Sequence, residues 1–111
     1  MSRELSRGQV RWYTFRAPDK RRPVLILTRQ SALSYLNKVT VAPLTTTIRD
    51  IPSEVFLTPE DDGVLESCVV NFDNIQTVSQ EKVGALITSL SAQKMREASG
   101  AIQFVLELDL A

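Results

Sequence analysis

The sequence contains no histidine and a single cysteine, Cys68. One thiol cannot form an internal disulfide, and without histidine or further cysteines the usual ligands of a zinc site are missing. Catalysis through a Ser-His-Asp triad, a Cys-His pair or paired histidines is excluded for the same reason. Proton transfer is therefore left to carboxylates, arginines and hydroxyls, and we expect no metal ion and no cofactor.

Long apolar runs are also absent from the sequence. No stretch approaches the ~18 consecutive apolar residues of a membrane-spanning helix, and the polar start MSRELSRGQ lacks the apolar core of a secretory signal. The chain has 111 residues, of which 43% are hydrophobic and 23% charged, which is typical of one folded globular domain. We expect a single domain over residues 1–111, located in the cytoplasm.

The net charge is zero, but the two signs are distributed unevenly along the chain. Residues 1–40 hold nine of the 13 basic residues and only two of the 13 acidic ones, which gives +7 there and −7 in the remainder. If this first third lines one surface, that surface suits a polyanion such as nucleic acid. The alternative is a set of solvated basic side chains scattered over strand edges.

Short apolar runs separated by turn residues predict a mainly β fold. Residues 8–15 alternate with a period of two, which is typical of a half-buried strand. Further strands are predicted at residues 23–28, 38–44, 53–57, 67–71, 75–78 and 83–88. Pro43 implies a strand end, edge or bulge, and the PEDDG segment at residues 59–63 is expected to be a solvated turn. This spacing favours a small barrel or sandwich.

Residues 91–108 predict the one long helix of the chain. Ser91 is a suitable N-cap, and Leu90 and Met95 stand at the spacing of a hydrophobic staple. An apolar stripe at helical spacing would pack this helix on the sheet. The members of the stripe are Met95, Ala98, Ile102, Val105 and Leu106.

Four motifs resemble, in this order, those of the MazF/PemK family of toxin ribonucleases. They are RGQV from Arg7, RRPVLI from Arg21, VAPLTTT from Val41 and SCVVNFDNI from Ser67. The chain length and the C-terminal helix also match that family. The resemblance implies a mainly β (α+β) fold, namely a small SH3-like or CcdB-like β-barrel with a C-terminal α-helix, which forms a homodimer.

The resemblance also implies a function. The chain would be the toxin of a type II toxin-antitoxin system, held in check by a cognate antitoxin protein. It would cleave single-stranded RNA, messenger or transfer, without a metal ion, leaving a 2′,3′-cyclic phosphate and a 5′-OH. Two alternatives belong to other classes: a toxin resembling CcdB, which poisons DNA gyrase, and a non-catalytic barrel that binds RNA or protein.

The catalytic motifs of the family fall on three residues of this sequence. The arginine that precedes proline is Arg22, whose planar fork can stabilise charge on a phosphate. The threonine that ends the third strand is Thr45, with Thr46 and Thr47 as neighbouring alternatives; its hydroxyl can donate to a phosphate oxygen. The acidic residue is Asp73, which would transfer a proton or, alternatively, cap a turn.

Other polar side chains would bind the RNA without taking part in the chemistry. The predicted RNA-binding residues are Lys20, Arg21, Arg29, Thr46, Arg49 and Asn71. Aromatic side chains such as Trp12 would stack on unpaired bases or belong to the core. The loop between the first two strands, residues 16–21, is shorter than in many relatives and lacks their glutamate, for which Asp19 is the substitute candidate.

Overall fold

A computed structural model describes residues 4–16 and 20–108, and the predicted candidate Asp19 lies outside these ranges. Seven strands connect there into one sheet. They are β1 (Gln9–Thr14), β2 (Arg21–Ile26), β3 (Lys38–Thr45), β4 (Glu54–Leu57), β5 (Cys68–Asn71), β6 (Gln76–Ser79) and β7 (Val83–Ser89). Each corresponds to a predicted strand, with its ends moved by no more than two residues.

The sheet is antiparallel at every pairing and runs in the order β4-β5-β3-β2-β1-β7. Strand β6 lies off this path and pairs with β3. The predicted mainly β fold with a C-terminal helix is confirmed. The hydrogen-bonded path among the described strands is open between β4 and β7, so these strands do not form a closed hydrogen-bonded ring.

Strand β3 is the centre of the sheet because it has three partners. Along one side it pairs with β2, while along the other its first half pairs with β6 and its last residues, Leu44 and Thr45, pair with β5. Pro43 lies between the part of β3 that is bonded to β6 and the part that is bonded to β5. The strand continues through Pro43, whose missing N–H falls next to a break in the ladder.

The sheet buries apolar side chains on both faces, and alternate residues of one strand divide between them. Leu25 belongs to the core beneath the C-terminal helix, while Val24 and Ile26 belong to a second core on the opposite face. In β1, Val10 enters the first core, and Arg11 is buried, with its guanidinium donating to the Gly84 carbonyl oxygen at 3.0 Å. One member of the basic first third is therefore a structural residue.

The C-terminal helix, α2, spans Ala92–Leu106. The Ser91 hydroxyl accepts a hydrogen bond from the Lys94 backbone N–H, as the predicted N-cap requires. Ala98 and Ala101 are buried, but the prediction that Leu106 is part of the buried stripe is wrong, since its side chain is 56% exposed. At 100° per residue Leu106 is about 80° from Ala98, at the margin of the buried face. No helix in the described ranges is long and apolar enough to cross a membrane.

The segment predicted as a solvated turn is instead a short helix, α1 (Pro59–Asp62). The Thr58 hydroxyl caps it by accepting from the Asp61 N–H at 3.1 Å. Asp62 is buried, and its carboxylate accepts from the Thr58 N–H at 2.9 Å. Gly63 ends the helix with a positive φ of 77°. The expectation was wrong because Asp62 turns inward to bond the backbone, which composition alone does not reveal.

We predict that Ser91→Ala lowers the free energy of unfolding by about 1 kcal/mol, because the helix loses a side-chain cap. Urea unfolding followed by circular dichroism measures this value. Ser99→Ala is the matched control: Ser99 is exposed inside α2, so the same change should raise stability by a few tenths of a kcal/mol. Equal effects of the two substitutions would contradict the role of the cap.

Candidate active site

A cavity of about 300 Å³ opens where the start of β2 and the end of β3 meet the segment that follows α1. Its floor is apolar and consists of Leu44, Val64, Cys68 and Ile87. Its rim is polar and consists of Lys20, Arg21, Arg22, Thr45, Thr46 and Glu66. The combination of an apolar floor with converging cations and hydroxyls is typical of a site that takes an anionic ligand.

The pairing of β2 with β3 brings Arg22 and Thr45 together. Val24 and Pro43 form the last pair of this antiparallel ladder, and Arg22 and Thr45, each two residues beyond that pair, follow from the same end of it. Both side chains are half-buried and line the cavity. Because both residues line one cavity of about 300 Å³, one phosphate group can contact both.

The end of β3 also orients the Thr45 hydroxyl. Its oxygen accepts a hydrogen bond from the Thr47 backbone N–H at 3.1 Å. With a lone pair of the oxygen used in this way, the hydroxyl proton is left to donate to a ligand in the cavity. Thr45 and Thr46 line the cavity, whereas Thr47 is not part of its lining.

Arg21 lies over the ring of Trp12, with its guanidinium carbon 4.1 Å from the ring centroid. Such a cation–π contact fixes the long arginine side chain and presents a flat, charged surface to the cavity. One face of Trp12 is occupied by this contact. A base that enters the cavity therefore meets the guanidinium plane of Arg21 on that side of the indole.

Glu66 also lines the cavity, and the sequence motifs did not single it out. It lies in the segment between α1 and β5, two residues before Cys68. Burial raises the pKa of the Cys68 thiol to about 11, and the negative charges of Glu66 and Asp62 contribute to the rise. The thiol is therefore protonated at neutral pH, which agrees with a cysteine that serves as a small apolar side chain.

Two of the predicted RNA-binding arginines lie away from the cavity. Arg29 follows the opposite end of β2 and donates to the Tyr35 hydroxyl at 3.4 Å. Arg49 forms a salt bridge with Glu54 at 3.1 Å, and the Glu54 carboxylate also accepts from the backbone N–H of Arg49 and of Asp50. Arg49 is thereby tied to the loop that precedes β4.

Asn71 is the last residue of β5, Asp73 lies in the turn that follows, and neither lines the cavity. Asn71 is buried, and its side-chain oxygen accepts from the Asp73 backbone N–H at 2.9 Å. The capping side chain of this turn is therefore that of Asn71. The Asp73 carboxylate is exposed to solvent in the single chain.

The chain matches the family profile described as PemK-like, MazF-like toxin of type II toxin-antitoxin system over residues 6–106. It is 35% identical over 102 residues to the probable endoribonuclease MazF5 of Mycobacterium tuberculosis, across 92% of this chain and 93% of that protein. It is 42% identical over 93 residues to the endoribonuclease MazF3 of the same species, across 82% of this chain and 87% of that protein.

Solved structures have the same fold. The Mycobacterium tuberculosis toxin MazF-mt6 superimposes with a TM-score of 0.81 at 35% identity, over 89% of this chain and 96% of that one. An endoribonuclease from a mycobacterial species, solved in complex with its cognate antitoxin, superimposes with a TM-score of 0.82 at 28% identity, over 94% and 96%. These similarities confirm the predicted architecture.

Trp12 is the one tryptophan of the sequence, so its fluorescence reports on the cavity. We predict that Arg21→Gln shifts its emission to longer wavelength and increases quenching by acrylamide, because the ring face covered by the guanidinium becomes solvated. Arg96→Gln, on the exposed side of α2, is the control and should leave the spectrum unchanged. Identical spectra for wild type and Arg21→Gln would rule out the stacked arrangement in solution.

Proposed function

The chain belongs to the family of PemK-like, MazF-like toxins of type II toxin-antitoxin systems, and from this membership we propose that it is an endoribonuclease. Its substrate is single-stranded RNA, which it cleaves without a metal ion to give a 2′,3′-cyclic phosphate and a 5′-OH. The observation that carries the proposal is the meeting of Arg22 and Thr45 on one cavity whose rim is basic. Residues 1–111 act as one domain.

The cleavage requires only positioning, removal of one proton and stabilisation of charge. The ribose 2′-OH attacks the neighbouring phosphorus in line, so that negative charge develops on the non-bridging oxygens. Arg22 donates two parallel hydrogen bonds to these oxygens, and the Thr45 hydroxyl donates a third. The half-burial of both side chains strengthens these bonds, since water screens them less than at an open surface. The assignment of proton transfer to Asp73 stays a prediction.

The rest of the cavity explains the preference for single-stranded RNA. Lys20 and Arg21 on the rim contact the sugar-phosphate backbone and hold its position. A cavity of about 300 Å³ admits a flipped-out base or a phosphate group but not a duplex. An unpaired base stacks on the Arg21 guanidinium, which already lies on Trp12.

The basic rim that binds RNA also indicates what kind of protein would bind there. A mycobacterial endoribonuclease with the same fold is known in complex with its cognate antitoxin. We assign this chain an antitoxin protein as partner, with an acidic segment that competes with RNA for Lys20, Arg21 and Arg22. Toxin, antitoxin and RNA substrate meet in the cytoplasm.

We also propose that two copies of this chain form a homodimer. Three large apolar side chains are more than half exposed near the end of α2, namely Phe104, Leu106 and Leu108. Large apolar side chains exposed in this way favour association, and we place Phe104 in the surface that two copies share. Two copies related by a two-fold axis bury the same patch on each subunit.

We predict that the purified wild-type protein cleaves labelled single-stranded RNA in excess EDTA, and that Arg22→Ala slows cleavage by at least about 100-fold. Thermal unfolding checks that the variant is folded, and Arg96→Ala serves as the control with unchanged cleavage. A gyrase poison or a non-catalytic barrel would yield no RNA products. Near-normal cleavage by folded Arg22→Ala would contradict the assigned role of this arginine.

We predict that sedimentation gives about twice the chain mass of 12.4 kDa at micromolar protein. Phe104→Glu should shift the protein toward the monomer, since two buried carboxylates repel each other across a two-fold axis. Gln103→Glu, an exposed neighbour on the same helix, adds a charge at an adjacent position and is the control. A wild-type monomer that is fully active would overturn the dimer.

A further inference from the structure

Glu66 carries a negative charge on a cavity rim whose other charged residues are positive. Among residues 4–16 and 20–108 it is the only carboxylate that lines the cavity. Its side chain is exposed and makes no hydrogen bond or ion pair with any described residue. Its oxygen lone pairs are therefore available to a ligand in the cavity.

The backbone holds Glu66 in place from both sides. Before it, the Thr88 hydroxyl donates to the Asp62 carbonyl oxygen at 2.9 Å, and Gly63 packs so closely that an added Cβ would lie 2.6 Å from that hydroxyl oxygen. After it, Cys68 pairs with Leu57 in the sheet. Glu66 thus lies on a short segment between two fixed points, and not on a long mobile loop.

A carboxylate at this position acts against the binding of a phosphodiester, because like charges repel. The rim cations Lys20, Arg21 and Arg22 supply the attraction for RNA, and Glu66 reduces it. What the cations cannot supply is a proton acceptor, since both the arginine guanidinium and the lysine ammonium have donors only. The Cys68 thiol is also protonated, so the carboxylate is the one base that the described cavity offers.

We propose that Glu66 is the general base of the RNA cleavage, an inference that rests on the proposed function. One carboxylate oxygen takes the proton of the ribose 2′-OH, and the electron pair of that O–H bond forms the bond from the 2′ oxygen to phosphorus. The electron pair of the bond between phosphorus and the 5′ oxygen leaves with that oxygen, which takes a proton from water. The hydroxide formed takes the proton held by Glu66, which restores the carboxylate and the water.

The pH dependence follows from the same step. The charged and titratable groups that line the cavity with Glu66 are the cations Lys20, Arg21 and Arg22 and the protonated thiol of Cys68, on which the buried Asp62 also acts. A reaction that uses a carboxylate as its base slows toward acid, so we expect the single-turnover rate of wild type to fall there. A glutamine at this position cannot take up the proton and should remove that fall.

The experiment compares Glu66→Gln with wild type on one labelled single-stranded RNA in EDTA, at single turnover and across a range of pH. We expect a loss of rate of about 100-fold or more, with the acidic fall of the profile removed. Binding of an uncleavable 2′-methoxy oligonucleotide should stay equal or tighten, because a negative charge is lost. Glu60→Gln, an exposed carboxylate in α1 away from the cavity, is the control with unchanged rate and profile.

An RNA with sulfur in place of the leaving 5′ oxygen separates a base from an acid. Its leaving group needs no proton, so the defect of Glu66→Gln should persist if Glu66 takes the 2′ proton. Recovery of the rate on this substrate would mean that Glu66 acts as the acid that protonates the leaving 5′ oxygen, which would overturn the inference. Glu66→Asp, which keeps the carboxylate on a shorter stem, should retain part of the rate and the acidic fall.

Three further outcomes would overturn the inference. In the first, Glu66→Gln cleaves at the wild-type rate and only binds the oligonucleotide more tightly, which would show that Glu66 affects binding through its charge and takes no part in catalysis. In the second, Asp73→Asn removes the acidic fall while Glu66→Gln keeps it. In the third, wild type cleaves no RNA, an outcome that rejects the proposed function and the base together, whereas the first two leave the proposed function standing.

Discussion

The pairing of β2 with β3 is the interaction on which the rest of this structure depends. Its register sets Val24 opposite Pro43, divides the side chains of β2 between two cores, and leads Arg22 and Thr45 to the same cavity. A slip of one residue would exchange the faces of β2, move Val24 and Ile26 out of the second core, and separate the guanidinium from the hydroxyl. The stability of the fold and the geometry of the site therefore have the same origin.

Much of the fold was predictable because it depends on local patterns. Strand lengths follow from apolar runs, and the start of α2 follows from Ser91, whose hydroxyl finds the N–H three residues on. The sequence motifs predicted Arg22 and Thr45 as catalytic residues, and both line the same cavity. The prediction that Leu106 is buried was wrong because the sequence does not show how wide the buried face of the helix is. Only packing against the sheet decides where that face ends.

The features that could not be predicted depend on contacts between distant parts of the chain. Asp62 looks like one more solvated acid in PEDDG, yet it is buried by a bond to the backbone of Thr58. The basic first third looks continuous in sequence, but Arg11 is buried beside β7 while Arg29 follows the far end of β2. Glu66 belongs to no motif and reaches the cavity only through the turn at Gly63.

The protonated thiol on the cavity floor has a consequence for where such a protein can work. Oxidants and electrophiles attack the thiolate form of cysteine, and with a pKa of about 11 for Cys68 only about one molecule in ten thousand carries it at pH 7. The same burial that makes the floor apolar makes it chemically inert. Oxidation of Cys68 is therefore slower than oxidation of an exposed cysteine with an ordinary pKa.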